Sequence, residues 1–483
     1  MNTIKNNWLI LQISSIIFAL LSFFSELIPV NNGFGWDGQK FAFFTQNFFQ
    51  LIQSKNFDGY YIQRLLPFFS TRCMIDLYHF ILRIPKEIST LEIIYAYKVL
   101  NYALMVHGMH IWLKTTSTLK WSSLAVYFSI ILLYVNFFAL KEIFYYPVNT
   151  DVFALYIGIV ILYAYVHNHF RSLIALTLLS LIIIPKIGLI LGGVLLLFHG
   201  YKTGNKPIIN IQLNKVIQLG LLLVVNAAYL ALCYQWLFKD QTLGKYLILS
   251  ITLSCLYLNV VLLFIYKIIP KSIDIQKKGI LNISCIILGY IIISSLLKQF
   301  STAEYLDSLG FLQNIIESAN ENPLGHLTAG IYFGGIFIIY LLLMPKTINE
   351  YNRKLSLNEV ILLGIILLLG VNSETRQFLI FFPFIIYIIV KQFNNSLTIK
   401  LTLSSLVINF LICRIWLPIN VFGSIDSNHH RNIVSQLWFM NHGPWLDKKI
   451  HLIGLLLLFA FYVLIYKGLS FRNSLNKNNV ENS

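Results

Sequence analysis

The sequence predicts an all-α, polytopic bundle of membrane-spanning helices, and three observations predict it. The chain is 57% hydrophobic and only 12% charged over 483 residues, a balance typical of polytopic membrane chains rather than of a large soluble domain. Its apolar residues fall in long runs. Its net charge of +16 is spread over the short loops between those runs, as positive-inside topology requires, so nucleic-acid binding is the weaker reading.

Taken in order, the runs give about ten full spans, near 8–30, 91–113, 122–140, 151–166, 216–238, 245–269, 279–298, 325–344, 399–418 and 450–467. The first is too long, and lacks the small-residue end, for a cleaved signal peptide; it reads as a retained signal-anchor helix. Two regions are too short to cross as single helices. Leu173–Ile184 and Ile187–Phe198 flank Pro185-Lys186, and Val360–Val371 and Phe378–Val390 flank Glu374-Thr375-Arg376. Each half is about 12 residues, or roughly 18 Å against an apolar core of about 30 Å, so each pair reads as a short-helix hairpin with a polar tip. Such a tip has to be packed in protein or line a wet cavity.

This count places both termini on one side, together with most lysine- and arginine-bearing loops, and the rule makes that side cytoplasmic. The expected location is multi-pass and integral in a membrane, with any chemistry facing outward. One integral domain is expected over 1–472, with a first outer loop at 31–85 and a disordered cytoplasmic tail at 473–483. The five cysteines are scattered through apolar segments, without the spacing of a disulfide or zinc framework.

The first outer loop is the most informative stretch. It opens on Gly35-Trp36-Asp37-Gly38-Gln39. Over Lys40–Gln53, Phe41, Phe44, Phe48, Leu51 and Ile52 share one helical face opposite Lys40, Gln46, Asn47, Gln50 and Gln53, an amphipathic pattern for helix lying in the interface. Asp58-Gly59 marks a turn. Leu65–Ile84 then carries Arg72, Asp76 and His79, too many polar groups for a lipid-facing span.

One helix followed at once by such a loop, with an acid near its start, resembles the GT-C superfamily of polytopic glycosyltransferases, which take sugars from polyprenyl-phosphate carriers. Gly35–Gln39 followed by Gln63-Arg64-Leu65-Leu66-Pro67 is similar to a bacterial branch with a D-G-Q signature. Glu374–Phe378 ahead of Phe382-Pro383 resembles that branch's later polar tip, and Asn441–Trp445 its last outer loop. The motifs cover a few dozen residues. The family commonly has a second acid in its next outer loop, a place that Glu142 or Asp151 could fill here.

The resemblance implies an inverting membrane glycosyltransferase, and it alone implies that the membrane is a bacterial inner one. It would move a sugar from a polyprenyl-phosphate donor to an extracytoplasmic glycolipid, glycopolymer or protein. Two alternatives are an O-antigen-type polysaccharide polymerase and a lipid-linked sugar flippase or transporter. Asp37 is the expected general base; its bland reading is a loop acid turning the chain between glycines. Gln39, Arg64, Glu142, Lys186, Glu374 and Arg376 are the expected substrate-binding residues. Arg376 suits a phosphate by its planar fork or pairs internally with Glu374 or another acid. Lys186 either binds phosphate or snorkels to the surface. Arg64 either binds phosphate or touches headgroups. Asp151 reads as the start of the next helix, capped by Asn149 or Thr150. His429-His430-Arg431 and His442 lack metal-site spacing. No cofactor is obligatory, a divalent metal is compatible with the acids, and Gly192-Gly193 reads as close helix packing.

Overall fold

The computed structural model describes residues 2–83, 87–184, 186–199, 209–212, 215–234, 247–269, 272–301, 322, 324–351, 355–369, 375–414, 416–417 and 446–481. The described chain is helical apart from one two-stranded antiparallel ribbon. In it β1 (Ile209–Gln212) pairs with β2 (Ser272–Ile275), Ile209 facing Ile275.

Three helical groups make up the chain as far as Lys298. The first holds α1 (Asn2–Phe24), α5 (Thr90–Thr118), α6 (Ser123–Tyr134), the short α7 (Ile143–Tyr145) and α8 (Asp151–Val166). α5 packs along both α1 and α8, and α8 also meets the 3-10 turn Thr375–Phe381 and the helix that follows it, Phe382–Phe393. Gly158 permits the closest of these approaches, its Cα facing the Ile380 carbonyl. The second group is the segment after α1. Here α2 (Trp36–Gln46), α3 (Phe48–Gln53) and α4 (Leu65–Leu82) close over stacked rings of Phe44, Phe57 and Phe68. Phe41, Phe44, Phe48 and Leu51 are buried while Lys40, Gln46, Gln50 and Gln53 are exposed, the face that the amphipathic pattern specifies. α4 settles its polar groups internally: Arg72 pairs with Asp76 at 2.9 Å and His79 Nε2 lies 2.8 Å from Glu92 Oε1 on α5.

The third group is α9 (Phe170–Leu179), α10 (Ile187–Leu197), α11 (Lys215–Cys233), α12 (Leu247–Ile268) and α13 (Lys277–Lys298). α9 and α10 fold back on each other, with Gly192 set against the Thr177 side chain. Next along the chain come α14 (Gly325–Gly334), α15 (Phe337–Tyr351), α16 (Leu357–Leu369), α17 (Phe382–Phe393), α18 (Ile399–Ile412) and α19 (Lys448–Glu481). α19 runs through most of the polar terminal stretch expected to lack structure.

The ten-span bundle is corrected. Among the described residues five helices are long and apolar enough to cross a membrane: Asn7–Phe24, Ile248–Ile268, Lys277–Lys298, Thr375–Ser396 and Lys448–Leu469. Counting the bent pair Ser123–Tyr134 and Phe138–Tyr145 as one makes six. Most of the lost spans have a local cause, that near 216–238 excepted. Near 122–140 the Asn136 amide donates to the Leu132 and Leu133 carbonyls while its oxygen accepts from Ala139 N. That competition with the backbone breaks the helix, which turns by 62°. Near 325–344 Gly335 adopts φ +83° and Asn409 Oδ1 accepts from Ile336 N at 2.7 Å, splitting the run into α14 and α15. α8 has 16 residues and α18 has 14, both short of a crossing. α5 carries Lys98, Asn101, His107 and His110 and is not apolar enough. Thr375–Ser396 is long enough, yet 83% of it is buried against other helices, so it is a core element.

With that count go the GT-C-like architecture, the multi-pass inner-membrane location with cytoplasmic termini, and the membrane glycosyltransferase that rested on them. The polymerase and the flippase or transporter relied on the same bundle and go with it.

Candidate functional site

Tyr146 is the hub of the most polar interior region. Its ring lies beneath the start of α2, and the two glycines of Gly35–Gln39 make that approach possible. Gly35 has φ +71°, and a Cβ there would stand 2.5 Å from Tyr146 Cε2; one on Gly38 would stand 2.8 Å from the Val148 carbonyl oxygen. Gly38 N–H donates to Tyr146 Oη at 2.9 Å, and Trp36 meets the same ring edge-on at 6.4 Å. Between the glycines Asp37 is exposed in the first turn of α2, where a helix favours negative charge.

The chain around Tyr146 is held by its own polar groups. Tyr146 N donates to the Glu142 carbonyl at 2.7 Å, Asn149 Nδ2 to the Tyr146 carbonyl at 2.7 Å and Asn101 Nδ2 to the Pro147 carbonyl at 2.9 Å. Asp151 opens α8 with its N–H on Asn149 Oδ1 at 3.2 Å. A π-helical turn, Phe138–Glu142, lies just upstream. Such turns often sit at functional sites.

That turn buries Glu142 to 1% exposure, and neither carboxyl oxygen has a hydrogen-bond partner among the described residues. Burial pushes its pKa up to about 8, Asp151 adds to the rise and Arg376 opposes it. Asp151 Oδ2 is likewise buried without a hydrogen bond among the described residues, 3.8 Å from Arg376 Nη1. Burial raises the Asp151 carboxyl, Arg376 and then Arg64 pull it back, and Asp37 raises it. The Tyr146 hydroxyl is pushed up by burial first and by Asp37 second. Arg64 donates to Tyr60 Oη at 2.7 Å and lies over the Tyr60 and Phe41 rings at 4.8 and 5.5 Å.

Asp37, Arg64, Glu142, Asp151 and Arg376 therefore converge from five separate segments on one electrostatic neighbourhood. Not every expected residue joins them. Lys186 is half-buried at φ +65° ahead of α10, and among the described residues it makes no ion pair with these acids. Gln39 points into the open on α2. Glu374, His429, His430, Arg431 and His442 lie outside the described residues. Asn149 supplies its side chain to Asp151 N, while Thr150, in the N-cap position, makes no capping bond. Among the described residues no three His, Cys, Asp or Glu side chains are grouped to hold a metal. Asn101 has no role in the sequence reading, and Tyr146 enters it only as one of the aromatics of the loop Lys141–Thr150, which either stack on a sugar ring or belong to an interfacial belt. The one signal for Tyr146 is the pair of glycines three apart, which leaves a bare strip on α2 for a large ring.

No family model, curated protein or solved structure matches the chain. The likeness to GT-C enzymes thus rests on the short motifs alone, and the architecture contradicts it.

Proposed function

We propose that the Tyr146-centred site binds a small molecule bearing both an anionic group and several hydroxyls, and that the chain is an enzyme acting on it by proton transfer. One observation carries this reading: Glu142 and Asp151 hold three buried oxygens with no hydrogen-bond partner, beside two guanidinium groups and an exposed carboxylate. Unsatisfied buried polar atoms are costly, and in a native protein they call for an explanation such as a ligand. Substrate hydroxyls would donate to Asp151 Oδ2 and to the carbonyl oxygen of the protonated Glu142, whose own O–H would donate to a substrate oxygen. Arg376 and Arg64 would hold the anionic group. Asp37, exposed and within electrostatic reach of Asp151 and Tyr146, would take the proton of a reacting hydroxyl. Strongly perturbed carboxyls gathered in one place are a recurrent mark of such sites.

The test is equilibrium dialysis of purified chain against labelled glycerol 3-phosphate, hexose 1-phosphates and hexuronic acids, followed by product analysis. Binding by the wild type that Arg376→Ala weakens about 30-fold or more is expected, since truncating one partner of a buried charge pair costs that much. Asp37→Asn should bind normally and turn over about 10²–10⁴-fold more slowly, the usual worth of a positioned base. Binding unaffected by either Arg376→Ala or Asp151→Asn would place the ligand elsewhere and end this proposal.

A further inference from the structure

Outside that site, the most exceptional charge is Arg414. It follows α18 directly at φ +52° and is 6% exposed. Its guanidinium lies 4.9 Å from the Phe137 ring centroid and 5.0 Å from that of Tyr332. Contact with rings offsets part of the cost of burying a charge. It leaves the edge of the group untouched, and the edge carries all five N–H donors. Nε, Nη1 and Nη2 are all buried, and none has a hydrogen-bond partner among the described residues.

A second cation stands nearby. Lys141 donates to the Leu417 carbonyl at 3.0 Å and is 4.0 Å from Glu26 Oε1, the one carboxylate paired with it among the described residues. Burial depresses the Lys141 ammonium most, Glu26 supports it and Arg414 adds to the depression. Arg414 itself falls to about 10 through burial, which leaves it charged at neutral pH. Lys141 and Glu142 are neighbours in the π-helical turn but serve different groups: Glu142 feels Arg376 and Asp151, Lys141 feels Glu26 and Arg414. This is a second polar centre.

We propose that Arg414 and Lys141 form a binding site for a phosphate-type oxyanion, separate from the Tyr146 site. A buried, charged fork with every donor unmet fits a planar pair of anionic oxygens, which accept two parallel N–H bonds. Two cations, of which only Lys141 has a carboxylate beside it among the described residues, leave a positive remainder, and a doubly charged anion matches it better than a single carboxylate. The ring contacts hold the guanidinium in place, so little side-chain freedom remains to be lost on binding.

The experiment uses the purified full chain and radiolabelled pyrophosphate in equilibrium dialysis. Wild type and Arg376→Ala should each bind one equivalent at this site, and Arg414→Met should bind about 30-fold more weakly or worse. Arg414→Lys keeps the charge without the fork and should lose about tenfold, which covers the case in which the methionine variant fails to fold. Equal binding by Arg414→Lys and wild type, or loss confined to Arg376→Ala, would overturn the proposal. The chain has its own candidate anion in Asp426, outside the described residues. Pyrophosphate binding that appears only in Asp426→Asn would mean that this carboxylate fills the fork, and would overturn the proposal as well.

Discussion

Two glycines and one buried acid decide most at the residue scale. Gly38 faces the Val148 carbonyl and the Tyr146 ring, so Gly38→Ala forces backbone or ring to move. Overpacking of this kind costs about 1–3 kcal/mol. Gly220, inside α11 with nothing within 4 Å of an added Cβ, should behave oppositely: Gly220→Ala should stabilise by about 0.5–1 kcal/mol through helix propensity alone. Thermal midpoints of the two variants against wild type check both signs. Glu142 makes a pH prediction. Its folded pKa of about 8 lies above the model-compound value of 4.5, so between those values the folded state holds a proton that the unfolded state has released. Stability from this group is complete below pH 4.5 and falls as pH rises towards 8. Glu142→Gln removes the loss. The variant should gain on wild type steadily across that window and hold a constant advantage above it, as denaturant midpoints at several pH values would show. A flat difference would mean that Glu142 ionises as an ordinary carboxyl.

Elements were legible where a residue pattern dictates a face, and illegible where a distant side chain ends a helix. The amphipathic run over Lys40–Gln53 gave its buried face correctly, although Asn47 divides it into α2 and α3. The apolar run near 325–344 hid a break because Asn409, on α18, takes the Ile336 N–H and sits where a Gly335 side chain would be. Hydropathy averages over such residues and cannot see the partner. α5 shows what a local signal can specify. Ser89 Oγ accepts from Glu92 N at 3.3 Å while Glu92 Oε2 accepts from Ser89 N at 2.6 Å, a reciprocal capping box. The other Glu92 oxygen meets His79, so the same acid joins α4 to α5. Ser89→Ala should therefore cost about 1 kcal/mol. Glu92→Gln should cost more than that, because it also weakens the tie to His79. A double-mutant cycle between His79 and Glu92 reads that tie directly, and zero coupling would reduce it to a chance proximity.

Across the whole molecule, candidate site and core are one construction. The acids and arginines around Tyr146 come from α2, the turn before α4, the π-helical turn, α8 and the 3-10 turn before α17, and only the packing of these segments joins them. Single polar residues in apolar surroundings, Asp37 and Arg376 among them, could be picked from the chain. Their meeting could not, because Gly38 and Tyr146 are 108 residues apart. The same packing predicts how the molecule opens. α8 and α17 are buried along most of their length, Ile161, Ile386, Ile388 and Ile389 completely. α11 instead exposes Leu219, Leu223 and Val224 by more than 60%. Opening free energy follows such differences in burial, from near zero at frayed segments to the global value in the core. Amide hydrogen exchange of the purified chain should therefore be slowest in Asp151–Val166 and Phe382–Phe393 and much faster in Lys215–Cys233. Because Asp151 begins the first of these helices and Arg376 lies just ahead of the second, a ligand bridging them would slow exchange at both ends together. Slowing at one end alone would mean that Asp151 and Arg376 do not serve a common ligand.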